Sequence, residues 1–337
     1  MAFEDLSAQM LERIEAALKK AIGRIREHNV EPMRHMLAYH MGWEGEGSSP
    51  TTTGKRIRPL LVLLTNAGAG GDWPLAIPAA VAVELIHNFS LIHDDIEDNS
   101  PMRRGRATVW KRWGMPQAIN VGDAMFTLAH LSMLELENSV SADTVLRAAR
   151  LLQETCLSLT KGQFLDIAYE ARGDLDMEAY WPMVSGKTAA LLATCTELGP
   201  LIAGVDAACC AAYREFGHSL GLAFQAQDDF LGIWGDAALT GKSAESDLLT
   251  AKKSLPVLYG LSLNGDFARA WQAGPIQADD IPKLAGQLKL EGAFDYTLER
   301  ADRLTNQALK ALDLAQPSGE AGEALRTLAI GLLHRPL

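Results

Sequence analysis

Cysteine is scarce: Cys156, Cys195, Cys209 and Cys210 are the four in 337 residues. None forms a CxxC pair and the spacings match no zinc pattern, so a fold stapled by disulfides or zinc is not expected. Basic charge is in deficit, with 31 Lys and Arg against 42 Asp and Glu, a net charge of −11. That balance argues against nucleic-acid binding, which needs a broad basic surface. It leaves room for a local basic cluster that holds a small anion. Alternating strand patterns rich in β-branched residues are few. No short repeat of the solenoid kind is present. An export signal is missing as well, because MAFEDLSAQMLERIEAALKK is amphipathic. Free thiols and no signal peptide point to a reducing cytoplasm. The one stretch apolar enough for a membrane span, 74–92, carries Glu84, His87 and Asn88. A core helix with a polar face is expected there, and no integral membrane segment.

What is abundant is helix-forming sequence. Apolar residues make up 48% of the chain, enough for a large core. Met10, Leu11, Ile14, Ala17, Leu18 and Ile22 recur at helical spacing. Runs rich in Ala, Leu, Met and Glu cover 76–98, 117–137, 143–170, 186–204, 207–234 and 299–314. Gly, Pro, Ser and Thr clusters break them at 42–54, 68–74, 99–105, 235–246 and 315–322. None of these is a long linker. The fold class read from this is all-α, a large antiparallel helical bundle in a single domain over 1–337.

Two acidic motifs carry the chemistry. In VAVELIHNFSLIHDDIED, residues 81–98, Glu84, His87, Leu91, Asp94, Asp95 and Asp98 fall on one helix stripe. Asp94 and Asp98 sit one turn apart, and stacked like charges cost helix stability unless a cation lies between them. Mg²⁺ suits this, because it takes one or two carboxylates and completes its shell with water and phosphate. An acid-rich helix end could arise by chance, but Arg103 and Arg104 follow at once, and guanidinium forks bind phosphate bidentately. The second motif is Asp228-Asp229 in FQAQDDFLG. Elsewhere, Lys55 and Arg58 stand in GKRIRP before an apolar helix, an arrangement that suits an anion. Lys187 and Thr188 sit in SGKTAALLATC, where a lysine among apolar residues needs a partner. Gly186 beside it can loosen the helix and free a carbonyl.

With these motifs in this order, SLIHDDIEDNSPMRRGRATVW and the sequence from about 54 to about 261 resemble the trans-polyprenyl diphosphate synthases, which include farnesyl and geranylgeranyl diphosphate synthases. The resemblance implies an isoprenoid synthase fold, a helical bundle around a central active-site cavity. It implies substrates too: isopentenyl diphosphate and an allylic diphosphate (dimethylallyl, geranyl or farnesyl). Lys55, Arg58, His87 and Arg104 match the isopentenyl diphosphate site. Arg103, Lys187, Lys242 and Lys252 match the allylic diphosphate site. Lys187, Thr188, Gln225, Asp94 and Asp228 match the catalytic group. The metal set is Asp94, Asp95, Asp98, Asp228, Asp229 and Asp247, for Mg²⁺, three ions when substrate is bound. Asp228 is read as the main ligand of the second motif and Asp229 as its neighbour. The sequence departs from the family's DDxxD at Gly232, which removes one carboxylate. A homodimer is implied as well.

The implied chemistry is ionisation, condensation and elimination. Metal and cationic side chains neutralise the leaving diphosphate, and a dry cavity protects the carbocation. Phe89 and Ser90, five and four residues before Asp94, fall at the depth that sets chain length, and their pattern resembles synthases that stop near C20. Other readings stay open: a farnesyl or longer-chain synthase, a class I terpene cyclase, or a non-catalytic synthase subunit. A cyclase would leave the Lys55/Arg58 subsite unexplained, and an inactive subunit would be expected to have broken motifs. His334-Arg335 at the end of the chain reads as a frayed tail.

Overall fold

The structure, a computed structural model, describes residues 2–49, 52–170, 172–235, 246–274 and 276–333. Lys242 and the His334-Arg335 tail lie outside them. Every long element is a helix. The described residues hold one small hairpin, Met102–Arg103 (β1) paired antiparallel with Arg106–Ala107 (β2). Contacts divide the chain into two compact units, one of 1–153, 195–210 and 316–325, the other of 154–194, 211–315 and 326–337.

In the first unit, α1 (Ala2–Ile22), α3 (Ile57–Gly68) and α6 (Met115–Leu134) pack on α4 (Ile77–Glu97). Pro78 opens α4, where its missing N–H costs nothing. Ala79 through Ile86 are all buried, so this part of α4 is surrounded, with Glu84 the one charged residue in the run and bonded to Arg56. Its mean hydropathy of 1.7 would satisfy a membrane span, yet 61% of the window is buried inside the protein. The core-helix expectation for this stretch holds. Small residues let neighbours come close. A Cβ on Gly122 of α6 would lie 2.2 Å from His93 Nε2 on α4. On α3, Asn66 Nδ2 donates to Gly199 O at 2.9 Å. A Cβ on Gly199 would fall 2.1 Å from Thr65 Oγ1.

The second unit holds the later part of α7 (Ala142–Glu170), α8 (Met177–Val184), the start of α9 (Ala190–Ala203) and most of α10 (Ala207–Trp234). It continues through α11 (Ser246–Leu249), α12 (Leu255–Ser262), α13 (Asp266–Gln272), α14 (Ile281–Leu290) and α15 (Ala293–Ala315). Asp176 caps α8, its side chain accepting from Ala179 N at 2.9 Å. Ile233, Leu248, Val257, Phe267, Ile281, Leu284 and Leu288 form the core beneath α10 to α14. The predicted helix at 186–204 is broken at its start: Ser185–Ala189 winds as one π-turn before α9 begins. That loosening was expected at Gly186. The cause is a close crossing with α7, since a Cβ on Gly162 would lie 2.1 Å from Lys187 N. The last predicted run, 299–314, extends back to Ala293 because Thr297 and Ala301 join the buried face.

Candidate active site

The basic subsite of the first unit grows from two left-handed residues. Arg56 has φ +49, and the chain turns there into α3. Its guanidinium is buried and bonds Glu84 Oε1 at 2.8 Å and Glu15 Oε2 at 3.1 Å. Arg56 is therefore the scaffold of GKRIRP, and its neighbours are left for other work. Lys55 is exposed, at the rim of an open cavity of about 610 Å³ lined by Trp43, Gly54 and Arg56 among others. Arg58 Nη1 lies 3.2 Å from His87 Nε2. A guanidinium can only donate, so Nε2 accepts and the imidazole is neutral. Burial agrees, holding the His87 pKa well below its usual value, with Arg58, Arg104, Arg103 and His40 adding to it. Arg58 Nε is buried with no hydrogen-bond partner.

Arg104 is the second left-handed residue. With Gly105 it forms the two-residue loop of the hairpin, at φ +50 and +74. Both φ values are positive, as a type I′ turn requires, and Asn-Gly is the usual choice there. An arginine in that place carries strain, which is often retained where a side chain has a task. Its Nη1 donates to Thr52 O at 3.0 Å. Behind it, Arg106 anchors the 42–48 loop through Glu44 O at 2.5 Å and Glu46 O at 3.0 Å, and ties it to the preceding helix through Tyr39 O at 2.8 Å. His40, Asp95, Arg103 and Arg104 share one small cavity of about 20 Å³. Sequence reading missed His40. Burial, then Arg103, Arg104 and Arg56, drive its pKa down to about 3, so it adds no charge.

The first acidic motif separates into different environments. Asp95 is 2% exposed and accepts from Arg103 Nε at 2.8 Å. Burial outweighs that arginine and lifts the Asp95 pKa to about 6. Asp94 is half-buried on α4, and Asp98 is exposed just beyond its end. Upstream, Ser90 Oγ donates to His87 O at 2.8 Å. The Phe89 ring stands 5.1 Å from Phe126 of α6 and 4.7 Å from His93.

In the second unit the centre is Asp229, 1% exposed. Gln225 Nε2 donates to its Oδ1 at 2.8 Å, and Lys252 Nζ stands 4.0 Å from the same oxygen. Tyr180 Oη and Leu255 N donate to Oδ2 at 2.7 and 2.9 Å. Burial still pushes the Asp229 pKa up, against Lys252 and these donors. Both oxygens are thus engaged by protein donors. Gln225 links this hub onward, since Thr188 Oγ1 donates to its Oε1 at 2.9 Å. Lys187 has its partner in Asp166, three residues after Gln163 on α7. Asp228 and Asp247 are half-buried nearby in charge terms: burial lowers the Lys252 pKa, but Asp229, Asp247, Asp228 and Asp166 together raise it. Tyr180 and Asp166 were not read from the sequence. Each works through a contact tens of residues away, with no local motif to flag it.

Among the described residues, no three His, Cys, Asp or Glu converge as a ready-made metal cage. The donor chemistry fits a hard cation that needs few protein ligands. Asp94, Asp98 and Asp228 are carboxylates at or near the surface, while Asp95 and Asp229 are held by protein donors.

The model of the polyprenyl synthetase family matches residues 48–276. The chain belongs to that family. It is 39% identical over 315 residues to the geranylgeranyl diphosphate synthase of Mycobacterium tuberculosis strain H37Rv, covering 91% of this chain and 89% of that one. It is 42% identical over 308 residues to the (2E,6E)-farnesyl diphosphate synthase of Mycobacterium bovis, covering 88% and 84%. The polyprenyl synthase structure from Caulobacter crescentus CB15 superposes with a TM-score of 0.83 at 30% identity, covering 98% of each chain. The protein is therefore a trans-prenyltransferase, a short-chain prenyl diphosphate synthase with the all-α isoprenoid synthase fold. Its family works with divalent metal ions.

Proposed function

We propose that this synthase condenses isopentenyl diphosphate with dimethylallyl, geranyl and farnesyl diphosphates and releases geranylgeranyl diphosphate. The observation that carries the substrate reading is the Arg58–His87 pair: a guanidinium with an unsatisfied buried Nε, bonded to a neutral ring, beside Arg104. A diphosphate supplies the missing negative charge, and Lys55 on the flexible-sequence loop before α3 completes the grip. Relatives of both product lengths support a short-chain reading. The Caulobacter structure was solved with calcium and isoprenyl diphosphate bound.

Asp94, Asp98 and Asp228, supported by Asp95, Asp229 and Asp247, would hold Mg²⁺, three ions per site, which neutralises the allylic diphosphate as it departs. The chain's own residues do the rest. Lys187, Lys252, Arg103 and Lys242 bind and steady that diphosphate. The allylic C–O bond breaks and the diphosphate leaves with the electron pair. The Thr188 hydroxyl oxygen, its proton held by Gln225, and the backbone carbonyl loosened at the π-turn beside Gly186 turn dipoles toward the resulting cation. The isopentenyl double bond attacks it, a new C–C bond forms, and a proton passes to the released diphosphate. The two substrates must be held in register for this.

Phe89 is the proposed floor for the growing tail. Five residues of helix place it roughly 7–8 Å before Asp94, and Phe126 backs its ring. The enzyme is proposed to be soluble, cytoplasmic, one domain and homodimeric. Buried α4 and four free thiols support the first two. The family match across both units supports the third. Exposed Met115, Ile119, Leu131 and Leu134 on α6 support the last. Extraction and sizing of products from each starter tests the C20 assignment. Farnesyl diphosphate as the end product would replace it.

A further inference from the structure

Lys187 and Thr188 ride on the π-turn Ser185–Ala189, whose wide winding shows in the bond from Ala190 N back to Ser185 O. Such turns are rare, and they gather at functional sites. Rewinding this one as α-helix would rotate the residues on one side by about 100° against the other, since about 3.6 residues make a turn. Whatever pins the π-turn therefore decides where Lys187 and Thr188 point.

Two crossings pinch it. A Cβ on Gly186 would stand 2.8 Å from Ser158 O of α7. On the α10 side, a Cβ on Gly221 would stand 2.6 Å from Ala189 Cα. Gly221 belongs to one stripe of α10, His218, Gly221, Gln225 and Asp229, at spacings of three and four. Gln225 accepts from Thr188 and donates to Asp229. At the start of the stripe, His218 Nε2 and Ser185 Oγ share a hydrogen bond of 3.0 Å. Helical Ser and Thr hydroxyls often bond a carbonyl of their own preceding turn. Ser90, Ser132, Ser158 and Thr160 do so here. Ser185 reaches across to another helix instead. Thus α10 grips the first residue of the π-turn through His218 and the fourth through Gln225, and seats the last on Gly221.

We propose that His218 is a positioning residue for the prenyl transfer: by holding Ser185 it fixes the winding of the π-turn, and with it the direction of Lys187 and Thr188. The proposal rests on the reading of Lys187 and Thr188 as catalytic residues. The isopentenyl diphosphate subsite is built on α3, α4 and the hairpin. The Ser185–His218 pair should therefore weigh on the chemical step and leave the KM for that substrate alone.

The test is single-turnover rates by rapid quench, beside steady-state KM, for Ser185→Ala, His218→Phe and the double variant, each checked for fold by circular dichroism. Each single change should slow the chemical step on the order of tenfold, less than the roughly hundredfold that a displacement of about 1 Å can cost. The KM for isopentenyl diphosphate should stay at the wild-type value. The double variant should be no slower than the slower single one, because the two side chains act as one unit. His218→Gln, whose amide can still bond Ser185, should regain most of the lost rate, and it serves where His218→Phe does not fold. Wild-type rates in Ser185→Ala and His218→Phe would overturn the proposal. So would losses that multiply in the double variant, or a His218→Gln enzyme as slow as His218→Phe. A Lys187→Ala enzyme with the wild-type single-turnover rate would instead overturn the catalytic reading beneath it.

Discussion

Replacing Arg56 with methionine separates scaffold from binder inside GKRIRP. Methionine keeps the length of the side chain and inherits the same left-handed backbone at φ +49, so the change isolates the charge. It would strand Glu84, whose side chain is 4% exposed and 2.8 Å from the guanidinium. Glu15 loses the same partner but is 27% exposed, so water compensates it in part. Removing one member of a buried ion pair costs about 3–5 kcal/mol. Against a total stability of about 5–15 kcal/mol, that is a large share. Urea unfolding followed by circular dichroism reads it as a lower midpoint at unchanged slope. Adding Glu84→Gln should recover about half of the loss, because the amide removes the stranded charge and its oxygen still accepts from Asn88 Nδ2, now 3.0 Å away. A variant within about 1 kcal/mol of wild type, with a raised KM for isopentenyl diphosphate, would refute the reasoning and make Arg56 a substrate ligand.

His40 sets a pH dependence. Its folded pKa of about 3 lies below the unfolded 6.5, so the unfolded chain takes up a proton that the folded chain refuses. Stability from this group is complete above the unfolded value and falls as the pH drops from about 6.5 toward 3. Between pH 8 and pH 5 the loss is about 2 kcal/mol, and His40→Gln should remove that part of the slope in urea titrations at the two pH values. Tyr180→Phe deletes one donor to buried Asp229 and should cost about 1.5–3 kcal/mol in the same assay; a neutral result would mean that Leu255 and Gln225 suffice. Phe89→Ala should lengthen the products measured by chromatography, and Phe126→Ala should do so more weakly, through loss of support for the Phe89 ring. An unchanged distribution in Phe89→Ala would remove Phe89 as the floor.

Helices and breaks were legible because periodicity and Gly/Pro punctuation are local. The 76–98 run became α4 almost residue for residue, and Gly186 marked the π-turn. Arg58 and His87, 29 residues apart, were grouped through family resemblance alone, and their direct contact is seen only in the fold. What escaped is chemistry made by distant contacts. Asp229 is held by Tyr180, 49 residues before it, and Lys187 by Asp166 on another helix. Arg56 stands near Lys55 and Arg58, the two residues proposed to hold an anion, and its left-handed turn and its buried pair with Glu84 set it apart. Asp94, Asp95 and Asp98 read as one cluster, yet Asp95 alone is fully buried and bonded to Arg103, while Asp94 is half-buried and Asp98 exposed.

The most direct test is incubation of the folded protein with isopentenyl diphosphate and each allylic starter in turn, with Mg²⁺ and with excess chelator, followed by chain-length analysis. The account predicts Mg²⁺-dependent condensation ending mainly at C20. Absence of condensation with every starter in the presence of Mg²⁺ would contradict it.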